Sequence, residues 1–255
     1  MGRKRVGGLA GERVVLGYLR MFGDIRQRIL KKTNSLIERA ARHAIRRALE
    51  HDTFDIARQI QRNALEQTAR FIEEHMADAP AFPDRFSLLE AAICQAPSDG
   101  LVCEFGVAGG ESLNFIAMRV NRQVYGFDSF DGLPEDWPGV LKRGAFQQER
   151  LPQVGENVRL IRGMFQETLP VFVAEHPEPC AMLHIDSDLY ASAETVLRCL
   201  ASKIVSGTVI VFDEFFNSPF WQQGESRAFQ EFVSRSQRAF DYLGYACQQV
   251  AVTIT

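Results

Sequence analysis

The fold is decided by the stretch MLHIDSDLY, residues 182–190, in which an apolar run ends at Asp186. A second stretch, GTVIVFDEFF at residues 207–216, repeats the pattern and ends in Asp213 and Glu214. Apolar runs of this kind are typical of buried strands in a parallel sheet, whose carboxyl ends share the edge where open α/β folds bind ligands. We therefore expect the three acids to converge there as oxygen ligands for one divalent cation, Mg²⁺ or Mn²⁺.

An acid followed by a glycine-rich turn stands upstream, in LVCEFGVAGGES at residues 101–112. The turn lacks the Gly-x-Gly-x-x-Gly order of nicotinamide-binding folds, and Glu104 would repel a pyrophosphate at the helix N-terminus that follows. A carboxylate instead favours the sulfonium and amino groups of S-adenosylmethionine. We therefore assign the turn, with Glu104, Gly106, Gly109 and Ser112, to that methyl donor. The alternative left open is that the glycines close a strand–helix junction for steric reasons alone.

The next strand, QVYGF at residues 123–127, ends in Asp128, which is placed to accept both ribose hydroxyl protons of an adenosine. We assign Asp128 and Ser129 to the donor as well, and the alternative is an Asx turn that opens the following loop. The connection from Ser129 to Asn157 is rich in Gly and Pro and too broken for a crossover helix. Long connections often act as lids or binding loops, and four large apolar residues suit this one to cover a substrate: Phe130, Leu133, Trp137 and Phe146.

Strand-like and helix-like segments alternate from residue 85 onward. Ser87 and Glu90 have the spacing of a capping box, which predicts that a helix begins at that point. The alternation predicts an α/β fold with a mostly parallel sheet and helices on both faces. The final YLGYACQQVAVTIT segment predicts an antiparallel edge pair. The expected strands lie at 101–105, 123–127, 158–161, 180–185 and 208–212.

The N-terminal part differs in charge from the rest of the chain. Residues 1–50 hold 13 Lys or Arg against 4 Asp or Glu, whereas residues 51–255 hold 16 against 28. Apolar residues recur at helical spacing between Leu36 and Leu49, and we interpret residues 1–84 as a basic helical extension of a domain at 85–255. We expect its apolar stripe to pack on that domain or on a second copy in a homo-oligomer. Peripheral membrane contact and a transit peptide are left open, and nucleic acid is not expected.

Composition sets the broad class of the protein. The 255 residues, 46% of them hydrophobic, suffice for one domain with a buried core. No stretch approaches the ~20 apolar residues that cross a bilayer, and no signal-peptide pattern is visible at the start. The five cysteines stand far apart, which favours reduced thiols and a cytoplasmic location.

The motifs CEFGVAGGES, VYGFDSFDGLPEDW, GMFQETLP, HIDSDLYAS and VIVFDEFF follow one another in this order. In order and spacing they resemble the macrocin O-methyltransferase (TylF-type) family of class I S-adenosylmethionine-dependent methyltransferases, in its uncharacterised bacterial branch. The resemblance implies a Rossmann-like fold and magnesium-assisted methylation of a hydroxyl, which belongs to a sugar in characterised members. The family's metal-binding acids match Asp186, Asp213 and Glu214, and Glu214 stands where those members have aspartate.

The resemblance also places Met164 and Phe165 where the family contacts adenine, although Phe165 is equally well explained as core. The acceptor hydroxyl needs a proton acceptor, for which Asp186 and Asp188 are the candidates. His184 is disfavoured because it lies inside a strand, and Asp188 alternatively caps the next helix. Acceptor-site candidates follow the metal acids, with aromatic burial as the alternative for two of them: Phe220, Trp221 and Glu225.

The sequence therefore predicts a metal-assisted O-methyltransferase that acts on a small molecule or glycan. Two alternatives remain at this point. One is a donor-binding or interaction protein of the same fold without turnover, and the other is a nicotinamide-dependent oxidoreductase. The acid before Gly106 disfavours the oxidoreductase.

Overall fold

The computed structural model describes residues 32–33, 36–47, 55–137 and 140–255. The chain divides into two compact units, Met1–Gln59 and Ile60–Thr255. In the first unit residues 36–47 form helix α1, on which Leu36, Ile37 and Ile45 are exposed. Much of the predicted basic extension lies outside the described residues. Within the described part, no helix is both long and apolar enough to span a membrane.

The second unit is built on a seven-stranded sheet with the strand order β3-β2-β1-β4-β5-β7-β6. Neighbours from β3 to β5 pair in parallel, whereas β7 is antiparallel to both β5 and β6. This confirms the predicted α/β fold with its antiparallel edge. The strands are β1 (Leu101–Phe105), β2 (Val124–Asp128), β3 (Val158–Arg162), β4 (Cys180–Ile185), β5 (Val209–Phe212), β6 (Phe240–Ala246) and β7 (Gln249–Ile254), and the helices are α2 (Ile56–His75), α3 (Arg85–Gln95), α4 (Glu111–Ala117), α5 (Phe165–Glu175), α6 (Tyr190–Cys199) and α7 (Glu225–Ser236).

The sheet is buried on both faces, because side chains alternate between two apolar clusters along each central strand. Phe105, Ile185 and Phe212 belong to one cluster, which α5, α6 and α7 cover. Val102 and Met182 belong to the other, beneath α3 and α4. The near-continuous apolar runs seen in the sequence follow from this double coverage.

Strand register sets the position of the polar residues. Phe105 of β1 pairs with Ile185 of β4, and Ile185 pairs with Phe212 of β5. The residues that follow these strands therefore emerge side by side at the carboxyl edge. The backbone N–H of Asp186 donates to the carbonyl of Phe105 at 2.9 Å, and that of Asp213 donates to Ile185 at 2.9 Å.

The predicted capping box is wrong in position. Helix α3 begins at Arg85 with Asp84 as its N-cap, and the Asp84 carboxylate accepts the backbone N–H of Ser87 at 2.9 Å. Glu90 instead pairs with Arg119 on the neighbouring segment. An aspartate three residues before Ser87 satisfies the same unpaired backbone groups one turn earlier, so the helix starts there.

Candidate active site

A cavity of about 590 Å³ opens at the carboxyl ends of the parallel strands. The turn after β1, the loop after β2, the turn after β3 and the acids after β4 and β5 all line it. Every residue predicted for the donor, for catalysis or for the metal lines this cavity except Glu104: Gly106, Gly109, Ser112, Asp128, Ser129, Met164, Phe165, Asp186, Asp188, Asp213 and Glu214. Their individual roles stay predictions, but the structure brings them into one space.

Gly106 has a steric reason to be glycine. Its φ of +94° lies in the left-handed region, and a Cβ on it would stand 1.6 Å from the carbonyl oxygen of Asp186. A side chain here would push the turn after β1 away from the acid. Close packing against Asp186 therefore explains why residue 106 is glycine. Because of this close approach, the glycine turn and Asp186 share one corner of the cavity.

Asp128 ties two loops together. One carboxylate oxygen, Oδ2, accepts the backbone N–H groups of Val107 and Ala108 at 2.8 Å each. The other, Oδ1, accepts the N–H of Phe130 at 2.7 Å, which is the Asx turn left open by the sequence. The same side chain also lines the cavity. Asp128 thus holds the shape of the glycine turn besides being available to a ligand.

Glu104 and His184 lie beneath the cavity rather than in its lining. Glu104 is fully buried, where Oε1 accepts the hydroxyl of Ser112 at 3.0 Å and Oε2 lies 3.1 Å from Nδ1 of His184. Nε2 of His184 lies 3.5 Å from Oδ1 of Asp213. A buried chain of polar groups therefore runs from Ser112, just after the glycine turn, to Asp213 after β5.

His184 belongs to this site, although its place inside a strand had argued against it. Burial alone would lower its pKa, but hydrogen bonds to Asp213 and Glu104 and the charges of Glu104 and Asp186 outweigh burial and raise the pKa well above the usual value. The signal in the sequence was its spacing of two from Asp186, which puts both side chains on the same side of an extended strand.

One ligand atom from each of His184, Asp186 and Asp213 lies within 4.8 Å of the others. Glu214 is not part of this trio of atoms. Its Oε2 is buried without a hydrogen-bond partner among the described residues. A buried carboxyl oxygen that has no partner in the protein is costly. This oxygen is therefore suited to bind a cation.

The acids carry more negative charge than their surroundings can neutralise. Burial, followed by repulsion from Asp213, raises the pKa values of Asp186 and Glu214 well above normal. The same two causes raise the pKa of Asp188 to about 7. Burial would also raise the pKa of Asp213, but hydrogen bonding to His184 and its charge lower it instead. The cluster must therefore hold protons or a cation.

Asp188 does not cap the following helix. Leu189 is the N-cap of α6, and no side-chain hydrogen bond is made there. Asp188 has a left-handed backbone with φ of +61°, a conformation that aspartate tolerates better than most residues. Its side chain is thus directed into the site, where it lines this cavity and a neighbouring one.

Glu225 has a different position from the acceptor contact expected of it. It is fully buried, and its Oε1 accepts the backbone N–H of Ser187 at 3.1 Å and the hydroxyl of the same residue at 3.3 Å. Its Oε2 accepts the N–H of Glu214 at 3.2 Å. One carboxylate therefore joins the loops after β4 and β5. The sequence could not predict these bonds, because it does not show which backbone groups a helix will contact.

The aromatic residues near the site differ in their positions. Trp221 is buried and packs edge-on against Phe71, with ring centroids 5.5 Å apart, so burial explains it. Phe220 is exposed. Phe165 both lines the cavity and packs edge-on against Phe105 at 5.7 Å, which combines its two interpretations.

Comparisons with known proteins agree with this geometry. Residues 103–215 match a family model described as a methyltransferase domain. The match spans less than half of the chain and takes in the glycine turn after β1 and the acids after β4 and β5. No curated protein matches significantly.

Solved structures show the same fold. The calicheamicin methyltransferase CalS11 is 24% identical with a TM-score of 0.53, over 66% of this chain and 76% of that one. The O-methyltransferase NovP is 22% identical with a TM-score of 0.52, over 67% of this chain and 79% of that one. The second unit therefore has the Rossmann-like fold of these methyltransferases.

Proposed function

We propose that this protein transfers the methyl group of S-adenosylmethionine to a hydroxyl of a small molecule or glycan, in the first place a sugar. Mg²⁺ or Mn²⁺ would assist the transfer, as in the TylF-type family that the motifs resemble. The observation that carries the proposal is one cavity whose lining includes both Asp128 with the glycine turn and the acids after β4 and β5. Both stretches fall inside the matched methyltransferase domain.

The donor end suits adenosylmethionine. Asp128 stands at the end of β2, where a carboxylate accepts ribose hydroxyl protons. Met164 and Phe165 offer apolar contacts to the adenine ring.

The acid cluster fits a hard divalent cation. Asp186 and Asp213 supply carboxylate oxygens that already lie close together, and the unpartnered Oε2 of Glu214 is a third oxygen. Both ring nitrogens of His184 face carboxylates, Nδ1 at 3.1 Å from Glu104 and Nε2 at 3.5 Å from Asp213, so oxygen rather than nitrogen is the ligand type on offer. When bound, the cation would supply Lewis acidity that lowers the pKa of an acceptor hydroxyl and fixes its orientation.

Asp188 is the proposed proton acceptor. It lies where the two cavities meet, and its raised pKa of about 7 makes it a stronger base than an exposed aspartate. In the transfer the methyl–sulfur bond breaks with its electron pair going to sulfur, while a carbon–oxygen bond forms. The proton of the acceptor hydroxyl passes to Asp188. The products are the methyl ether and adenosylhomocysteine.

Chelation tests the metal and the function together. EDTA should abolish methyl transfer to cell-extract acceptors while calorimetry still shows adenosylhomocysteine binding. Asp213→Asn should remove most activity, whereas Asp131→Asn, at an exposed residue paired with Arg162, should not. Glu214→Asp should retain activity because it restores the family's residue. Transfer at full rate in EDTA would contradict the metal assignment, and donor binding without transfer to any acceptor would favour a binding protein.

A further inference from the structure

A second cavity, of about 480 Å³, adjoins the first. Phe146, Asp188 and Glu214 line both, so the two spaces meet at the proposed base and at one proposed metal acid. Its volume lies within the ~300–1,000 Å³ typical of small-molecule sites. It is lined by residues from α2, the long loop, the loop after β4, the segment after β5 and the β6–β7 turn, among them Gln61, Trp137, Asn217, Ser218 and Gln248.

The chemistry of this lining is uncharged or acidic. Three amide side chains and one hydroxyl supply neutral hydrogen-bonding groups, and Trp137 and Phe146 supply aromatic surface. Among its described lining residues there is no Lys, Arg or His. Oδ1 of Asn217 is buried without a hydrogen-bond partner in the described part of the chain, although its Nδ2 donates to the carbonyl of Cys247 at 3.3 Å. Asn217 therefore lines the cavity with a side chain whose carbonyl oxygen makes no hydrogen bond within the described residues.

We propose that this second cavity binds the methyl acceptor and selects a neutral, polyhydroxylated ring over a phosphorylated one. The inference rests on the proposed function and names the acceptor class for it. Amides and a hydroxyl pair well with sugar hydroxyls, and aromatic faces pack against the apolar faces of sugar rings. A phosphate is bound best by Arg or Lys side chains, and the described lining of this cavity offers neither.

The acceptor site then extends beyond the matched methyltransferase domain. Gln61 lies on α2, well before residue 103, and its Nε2 donates to the carbonyl of Asn217 at 2.8 Å. That bond fixes the Gln61 amide at the cavity wall. The side-chain carbonyl oxygen of Gln61 can then accept a hydrogen bond from a hydroxyl of the methyl acceptor. Helix α2 is therefore assigned a part in substrate selection.

Helix α2 also provides a matched control. Oε1 of Gln67 accepts a hydrogen bond from Nε2 of Gln222 at 2.8 Å, so it too joins α2 to the segment after β5. Gln67 does not line the cavity. Gln61→Ala and Gln67→Ala each remove one such bond, and only the first removes a group from the proposed acceptor site.

The test is a fluorescence titration of the full chain with adenosylhomocysteine and Mg²⁺ present. Of the two tryptophans, Trp137 lines the cavity and Trp221 is buried, so Trp137→Phe removes the reporter. The probes are methyl rhamnoside, TDP-rhamnose and catechol. We expect saturable quenching by methyl rhamnoside, at least tenfold tighter than by either other probe, and lost in Trp137→Phe. Gln61→Ala should weaken the affinity for methyl rhamnoside about tenfold, as expected for one hydrogen bond. Gln67→Ala should leave that affinity unchanged.

Tighter binding of TDP-rhamnose or catechol would overturn the inference, as would equal effects of the two glutamine variants. Calorimetry with adenosylhomocysteine separates this from the proposed function. If the donor product does not bind, the proposed function fails. If it binds and extracts are methylated, yet the neutral sugar does not quench Trp137, only the acceptor assignment fails.

Discussion

Replacing Glu225 with glutamine tests whether one buried carboxylate sets the spacing of the proposed metal ligands. The variant conserves size, but its single carbonyl oxygen can serve only one of the two loops that Glu225 joins. If it keeps both bonds to Ser187, its NH₂ group faces the backbone N–H of Glu214, which donated at 3.2 Å in the native protein. One buried N–H then loses its acceptor and meets another donor, at a cost of about 1–3 kcal/mol.

The Glu225→Gln variant should lose more free energy of metal binding than free energy of unfolding. Glu225 acts on Glu214 and on the loop that bears Asp186, and loss of a group that orients ligands typically weakens metal binding by about 10–100-fold. Burial raises the pKa of Glu225 to about 8, so Mg²⁺ or Mn²⁺ titration by calorimetry should be done at pH 9, where the native carboxylate is ionised. Adenosylhomocysteine affinity should change by less than about twofold, since Glu225 does not line the donor cavity.

Glu231→Gln is the matched control on the same helix. Glu231 bonds Tyr190 at 2.8 Å and pairs with Arg227 and Arg235 near the surface, away from both acid loops. Exposed pairs of this kind contribute only about 0–1 kcal/mol, and metal affinity should not change. The reasoning is refuted if Glu225→Gln melts lower than the native protein but binds the metal equally well, because Glu225 would then serve the fold alone.

Three further outcomes are expected. Asp128→Ala should weaken adenosylhomocysteine binding by about 1–3 kcal/mol in calorimetry, because it removes charge-assisted bonds and the support of the glycine turn; unchanged affinity would restrict Asp128 to the turn. In metal-free protein the raised pKa values of Asp188 and Glu225, about 7 and about 8, mean that the folded state holds protons that the unfolded state has released. Melting temperature should therefore fall as pH rises from 6 to 9, by at least ~3 °C, and Mg²⁺ should restore most of it; a flat profile would contradict these shifts. Deleting residues 1–50 should change the oligomeric state in light scattering, whereas loss of salt-sensitive binding to anionic vesicles would favour a membrane role.

Much of the site could be predicted because each acid directly follows an apolar run. A buried parallel strand needs apolar residues on both faces and ends where polar ones begin, so Asp128, Asp186 and Asp213 marked strand ends without any coordinates. The parallel order of the strands then required these ends to share one edge. The α/β fold, its antiparallel edge and the shared cavity follow from that local pattern.

Tertiary structure alone decided which groups meet across strands. The pairing of Glu104 with His184 depends on the register of β1 against β4, and the bonds of Glu225 depend on where α7 packs. The place of Gln61 in the second cavity likewise depends on the packing of a helix that lies far from it in sequence. These contacts join residues from 11 to 156 positions apart. Hydrophobic periodicity shows which face of an element is buried but not what it is buried against.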